Sequence, residues 1–389
     1  MPRYYFDHNA TTPVAPEVAD AVREAFCEDF GNPSSVHRFG QAAKGRLETA
    51  RERVALLLHA MPREIVFLSG GTEGDNLAIF GTVRYDSRPR KHVITTAIEH
   101  PAVLHSCAQL EREGVEVTRV GVSSDGVVDP DDIRRALRPE TVLISVMHAN
   151  NELGAVQPLA GIGRIAREAG VYFHSDGVQA VGKIRVDVEA LGVDLYALSG
   201  HKFYAPKGAG ALFVRQGVRL GAIQFGGHHE RDRRPGTENV PGAVGLAAAA
   251  ELVRANLPME MARMGALRDR LEQAILERVP DVTVNGGRAP RTPNTSNLRF
   301  DGVDGEAMLI ALDLAGFAVS SGAACSSGAI EPSHVLTAIG LSAEEARASL
   351  RFSLGRLNTE EQVERLIETV AIAVDSLRKI SPVYKSARV

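Results

Sequence analysis

The chain has 389 residues, 44% of them hydrophobic, enough to bury more than one core, so two or so folding units are expected. A formal net charge of −4 gives no basic footprint for nucleic acid or for an anionic membrane surface, and small-molecule chemistry is the better expectation. Three cysteines with no CxxC pair argue against a disulfide framework and against a structural zinc site.

The opening MPRYYFDHNATTP has no uncharged apolar core ahead of a small-residue cleavage site, which predicts a cytoplasmic chain. Cys27 ends the run AVREAFCEDF and suggests no chemistry. EIVFLSG reads as a buried strand opening into the helix TEGDNLAIFGTV. At that junction Gly70 and Gly71 let the backbone approach an anion while free N–H groups and the helix dipole face it. The same glycines equally suit a tight strand-to-helix turn, and the segment fits neither GxxxxGK[ST] nor GxGxxG. HVITTAI leads to HPAVLHSCAQLERE, where Val103, Cys107 and Leu110 share a helical face and make Cys107 a core residue.

EVTRVGV, TVLISVMH, VYFHSD and LYALSGH continue the alternation of strand and helix. It implies an α/β architecture with a largely parallel sheet and a site at the carboxyl ends of its strands. Asp176 falls at one such end, and Ser199, His201 and Lys202 at the next. A carboxylate held there can keep a pyridine nitrogen protonated, and a lysine in a desolvated pocket can form a Schiff base. Taken singly, Asp176 also suits a helix cap and Lys202 a surface cation.

A helical stretch from about Val240 to Arg278 follows, and the domain change is placed inside it: 14–257 as a large domain, 1–13 and 258–389 as a smaller α/β domain. The latter holds TSNLRF, AMLIALDLAGFAVSS, SLRFSLG and a final helix around EEQVERLIETVAIAVDSLRK. Within it SSGAACSSG surrounds Cys325 with Gly, Ser and Ala, the composition of a mobile loop at about 320–332. The most apolar stretches, GAVGLAAAAELV and AMLIALDLAGFAV, are short or carry Asp313, so no membrane span is expected.

In order, YFDHNATTP, GNPSSVHRFG, IVFLSGGTEGDNLAI, IEHPAV, HANNELGAVQP, FHSDGVQAVGK, LSGHKFYAPKGAGAL, RRPGTENV, SSGAACSSG, EPSHVL and RFSLGR resemble a group I cysteine desulfurase of the NifS/IscS type, in the class-V aminotransferase family of fold type I pyridoxal-phosphate enzymes. The resemblance covers essentially the whole chain. It implies a large domain with a mostly parallel seven-stranded sheet flanked by helices, a small α/β domain carrying the Cys loop, and a homodimer. It further implies that Lys202 holds pyridoxal 5'-phosphate as a Schiff base, that Asp176 pairs with the pyridine nitrogen, and that His100 stacks on the ring and shares proton transfer with Lys202. Gln179 and Asn151 would meet the ring oxygen or the substrate. Gly71, Thr72, Ser199 and His201 would bind the phosphate, with Thr237 reaching across from the second subunit. Arg351, helped by Asn32, would hold the carboxylate of L-cysteine through a bidentate fork. Read alone, His100 before Pro101 suits a helix start, and Arg351 a structural ion pair.

The implied chemistry is attack of the Cys325 thiolate on the sulfur of cysteine, leaving L-alanine and a persulfide for an acceptor such as an iron–sulfur scaffold protein, in cluster assembly or thiolation. No metal, nucleic-acid or membrane partner is expected. The chain stops at SPVYKSARV, earlier than relatives whose longer tail docks a scaffold, so the acceptor stays open. A selenocysteine lyase or another class-V enzyme would share Lys202 and Asp176, with Cys325 as the discriminator. A catalytically silent sulfur-carrier or scaffold subunit would keep the fold alone.

Overall fold

Runs such as IVFL and LYALS present no polar face, so strands made from them must be covered on both sides. The computed structural model describes residues 3–321, 332–381 and 384, and it covers them with helices. The strands are β1 (Tyr4–Tyr5), β2 (Ile65–Leu68), β3 (His92–Thr96), β4 (Glu116–Val120), β5 (Thr141–Ser145), β6 (Tyr172–Asp176), β7 (Leu195–Ser199), β8 (Gly210–Val214), β9 (Val282–Val284), β10 (Thr295–Phe300), β11 (Phe317–Ala318) and β12 (Ser349–Ser353). A seven-stranded sheet has the order β2-β8-β7-β6-β5-β3-β4. β8 alone runs against the common direction of the other strands in it.

β8 was not among the strands read from the sequence, because its glycine-rich approach looks like a loop. Gly210 opens the strand for a steric reason: a Cβ there would lie 2.6 Å from Gly70 Cα. The strand end and the Gly70 turn touch backbone to backbone, which only glycine permits.

A second sheet, β12-β10-β9, is antiparallel, and β1 pairs with β11 in a two-stranded ribbon. The helix Val240–Arg278 passes through Pro258 and serves both cores. Ala243 to Val253 pack with the seven-stranded sheet, and Leu267 to Ile275 with Phe300, Phe352 and the terminal helix Glu360–Ile380. The amino-terminal segment crosses between them: Phe6 joins the second core, while Thr12 bonds to the backbone of His201. Cys107 is fully buried beside Val103 and Leu110 as its helical spacing predicts, and burial pushes its thiol up to about 12. No described helix is long and apolar enough to cross a membrane.

Candidate active site

The helix Gly71–Tyr85 starts at the carboxyl end of β2, and no side chain caps its amino terminus at Gly70. A Cβ on Gly71 would come within 2.5 Å of Val178 Cγ2, and one on Gly70 would sit 3.5 Å from Ser199 Oγ. The turn is therefore a bare cradle of N–H groups with a hydroxyl beside it, suited to a phosphate. Thr72 stands exposed on the next position, and with His100 it lines an open cavity of about 430 Å³. A larger apolar cavity of about 730 Å³, around Leu57, Val181 and Leu257, contains none of these residues and no comparable chemistry.

Lys202 follows β7 in a single turn of 3-10 helix, Gly200–Lys202. Its Nζ donates to the carbonyls of Asn9 (2.7 Å) and Ala10 (2.8 Å). Desolvation first, then the charge of Arg351, lowers its pKa to about 8 against the pull of Asp176 and Asp7. A lowered pKa leaves a free-amine fraction at neutral pH, the form a nucleophilic lysine needs. Asp176, 5% exposed at the end of β6, accepts the Val178 N–H at 2.9 Å. Burial raises its pKa, while His100, that N–H and Lys202 favour the ionised form. His100 caps the helix Pro101–Arg112 by accepting from Ala102 N at 3.1 Å, so the plain reading of this residue also holds. Its ring opens to solvent on one side, yet the loss of hydration on the other keeps its pKa low.

Asp75 was missed at the sequence level. One oxygen of Asp75, one ring nitrogen of His100 and one oxygen of Asp176 all lie within 4.8 Å of one another. Asp75 Oδ1 has no hydrogen-bond partner, and neither has His174 Nε2, 3.5 Å away. Burial, then the neighbouring Asp176 and Glu99, hold the Asp75 carboxyl well above its usual range. Glu99 is itself raised to about 8, mainly by burial. Asp176 is thus the acid among these three that a cationic ring nitrogen would ionise. Only the position of Asp75 in the first turns of its helix pointed inward, and an acidic residue there also suits an exposed helix start.

Asn9 is the hub of the floor. Its carbonyl accepts from Gln179 Nε2 (2.9 Å) as well as Lys202, and its Oδ1 accepts from Lys183 Nζ (2.9 Å) and Asn294 Nδ2 (3.0 Å). Its Nδ2 donates to the Asn151 carbonyl and to Thr295 Oγ1. Neither Asn9 nor Lys183 stood out in the sequence, although both lie inside quoted motifs. Arg351 splits its fork between Asp7 Oδ1 (2.7 Å) and the Asn151 carbonyl (2.9 Å), leaving Nε unpartnered. The structural ion pair is therefore formed, and it leaves one guanidinium N–H without a partner. His201 Nδ1 meets Thr11 Oγ1 at 3.1 Å, and burial with nearby lysines lowers its pKa to about 4. Asn32 is exposed and spends its Oδ1 on Ser34 N, and Thr237 is exposed. This chain does not bring those two into the cluster, and Cys325 lies outside the described residues.

An anion cradle after β2, a buried carboxylate at the end of β6 and an amine of lowered pKa after β7, all at the carboxyl ends of their strands, define an α/β enzyme of the aminotransferase kind. The model of the family "Aminotransferase class-V" matches residues 4–366. The chain is 48% identical over 378 residues to the cysteine desulfurase IscS of Methanosarcina thermophila, covering 97% of this chain and 93% of that one. Among solved structures, a NifS-like protein aligns with a TM-score of 0.90 at 35% identity, over 96% of this chain and 100% of that one. The structure of SspA in complex with cysteine aligns with a TM-score of 0.81 at 39% identity, over 90% and 98%. The chain belongs to the class-V aminotransferase family and, within it, to the cysteine desulfurases, which are pyridoxal-phosphate-dependent enzymes.

Proposed function

We propose that this protein removes the sulfur of L-cysteine as a persulfide on Cys325 and releases L-alanine, with pyridoxal 5'-phosphate held by Lys202. The observation that carries the reading is the meeting of Lys202, Asp176 and His100 with the Gly70–Gly71 cradle at one sheet edge. Gly71, Thr72, Ser199 and His201 would hold the phosphate, and Asp176 the pyridine nitrogen. Gln179 and Asn151 would face the ring oxygen and the substrate. When bound, the cofactor supplies an electron sink for the bonds at the substrate's Cα and Cβ.

The protein's own groups do the rest. Lys202, an amine of lowered pKa, takes the Cα proton, and His100 exchanges protons beside it. Arg351 binds the substrate carboxylate while Asp7 keeps the guanidinium in place. The Cys325 thiolate attacks the substrate sulfur, so a carbon–sulfur bond breaks as a sulfur–sulfur bond forms. The electrons go to the alanine carbon, which takes up a proton, and no outside oxidant is needed. The persulfide then passes to an acceptor protein, an iron–sulfur scaffold being the leading candidate, in the cytoplasm.

The same reading includes a homodimer. Phe26, Phe30, Val36 and Phe39 are 66%, 69%, 93% and 59% exposed, and Phe225 is 89% exposed. An apolar surface of that kind is suited to a second copy of the chain. Asn32 lies within the first group and Thr237 follows the second in sequence, so both would serve the partner's site.

The test is release of alanine and sulfide from L-cysteine with a reductant, comparing wild type with Cys325→Ala. Equal amounts of both products from wild type are expected, with the variant changing the cofactor's absorbance on adding cysteine but releasing almost no sulfide. Normal turnover by the variant would remove Cys325 from the reaction and favour a thiol-independent lyase.

A further inference from the structure

Lys183 is a lysine in the wrong place for a lysine. It is 5% exposed, and among the described residues no carboxylate forms an ion pair with it. Burial, and the charges of Lys202 and Arg351, hold its pKa well below the usual lysine range, and it depresses His8 in turn. Buried lysines are rare and costly unless paired, so one kept against neutral partners calls for a reason.

Its partners supply one. Nζ donates to Asn9 Oδ1 at 2.9 Å and, at close range, to Gln179 Oε1. Whether charged or neutral, the amine offers N–H groups to both, and while charged it cannot accept. While the amine is charged each amide has to turn its oxygen toward Lys183, and this is the arrangement both adopt. For Gln179 this leaves the NH₂ group on the far side, where Nε2 donates to the Asn9 carbonyl at 2.9 Å. That carbonyl also takes the Lys202 amine at 2.7 Å, so the Gln179 NH₂ and the Lys202 Nζ are neighbours around one oxygen. Gln179 has a second N–H, and no acceptor for it occurs among the described residues.

We propose that Lys183 is a positioning residue: it locks the Gln179 amide with its NH₂ toward Lys202, so that the ring oxygen of a Lys202-bound pyridoxal phosphate meets a donor rather than an acceptor. The inference rests on the reading of Lys202 as the cofactor lysine. A donor at the ring oxygen stabilises its ionised form and so lowers the proton affinity of the Lys202–cofactor linkage. Freed to rotate, Gln179 would present Oε1 there and raise it.

The readout is the pH midpoint of the visible absorbance of the loaded protein, together with cofactor dissociation constants measured on the apoprotein. Lys183→Met, which keeps the length of the side chain, is expected to raise the midpoint by on the order of half a unit to one unit. Gln179→Ala should do the same, and the double variant should shift no further than either single one. Lys183→Gln removes the charge but can still donate to Gln179, and should return the midpoint most of the way to wild type. An unmoved midpoint in a folded, cofactor-binding Lys183→Met would overturn the proposal, as would single shifts that simply add. So would a Lys183→Gln midpoint equal to that of Lys183→Met, which would assign the effect to charge. Failure of the underlying reading is seen separately, as a wild-type protein that develops no such band.

Discussion

At the scale of single residues, the site depends on which groups are charged. Lys202 has its pKa lowered to about 8, so its nucleophilic form grows as pH rises and saturates above that value. The rate at which apoprotein captures pyridoxal phosphate should rise by about tenfold per pH unit below 8 and level off above it, as followed by stopped-flow absorbance. A profile centred near 10 would mean an unperturbed lysine. Asp75 and Asp176 face the same ring nitrogen of His100, yet burial and its acidic neighbours push the Asp75 carboxyl well above its usual range, toward the neutral form. An amide copies a neutral acid, so Asp75→Asn should bind the cofactor within about threefold of wild type. Asp176→Asn removes the carboxylate proposed to pair with the pyridine nitrogen and should weaken binding about tenfold or more. Equal losses in the two variants would show that Asp75 is ionised as well.

At the scale of elements, the site is placed by close backbone approaches and by one buried ion pair. Gly177, just after β6, lies against Tyr196, where an added Cβ would be 2.0 Å from the ring. Tyr196 is fully buried and its hydroxyl meets His148 Nδ1 at 2.8 Å, so it has nowhere to retreat. Gly177→Ala should cost about 1–3 kcal/mol in chemical denaturation and displace Asp176 with it. Arg51 holds Glu230 by two bonds of 2.8 Å, and Glu230 also accepts from Phe67 N. Glu230, Arg231 and Asp232 all have positive φ, at 43°, 58° and 64°, a strained run that this pair pins to β2. Leaving Glu230 buried and alone in Arg51→Met should cost about 3–5 kcal/mol, measured by the same unfolding experiment. If the turn exists to present Thr237, cofactor affinity should fall too, even though Arg51 touches no part of the site.

At the scale of the whole molecule, the two exposed phenylalanine surfaces make oligomeric state and cofactor retention one question. Phe30 and Phe39 stack at 5.3 Å between ring centroids on the open face. On the proposal that Thr237 serves a partner's site across this face, replacing both with Asp should yield a monomer by light scattering that binds the cofactor more weakly. A dimer that persists would move the interface elsewhere.

The order of strands and helices, the span Val240–Arg278 and the buried face of Cys107 were legible in the amino-acid sequence, because hydrophobic periodicity is a local property. Candidate site residues were legible where an ionisable residue ends an apolar strand or follows it within a turn, as Asp176 and Lys202 do. β8 was not, since its glycines signal a loop until Gly70 is seen against them. Asp75, Asn9 and Lys183 were not, since an acid, an amide and a lysine near a turn look like surface until burial is known. The sequence by itself determined the fold class and the family, and it nominated candidate residues for the site. The tertiary structure alone decided which polar groups lose their water, and that loss shifts the pKa of Lys202 down and those of Asp176 and Asp75 up.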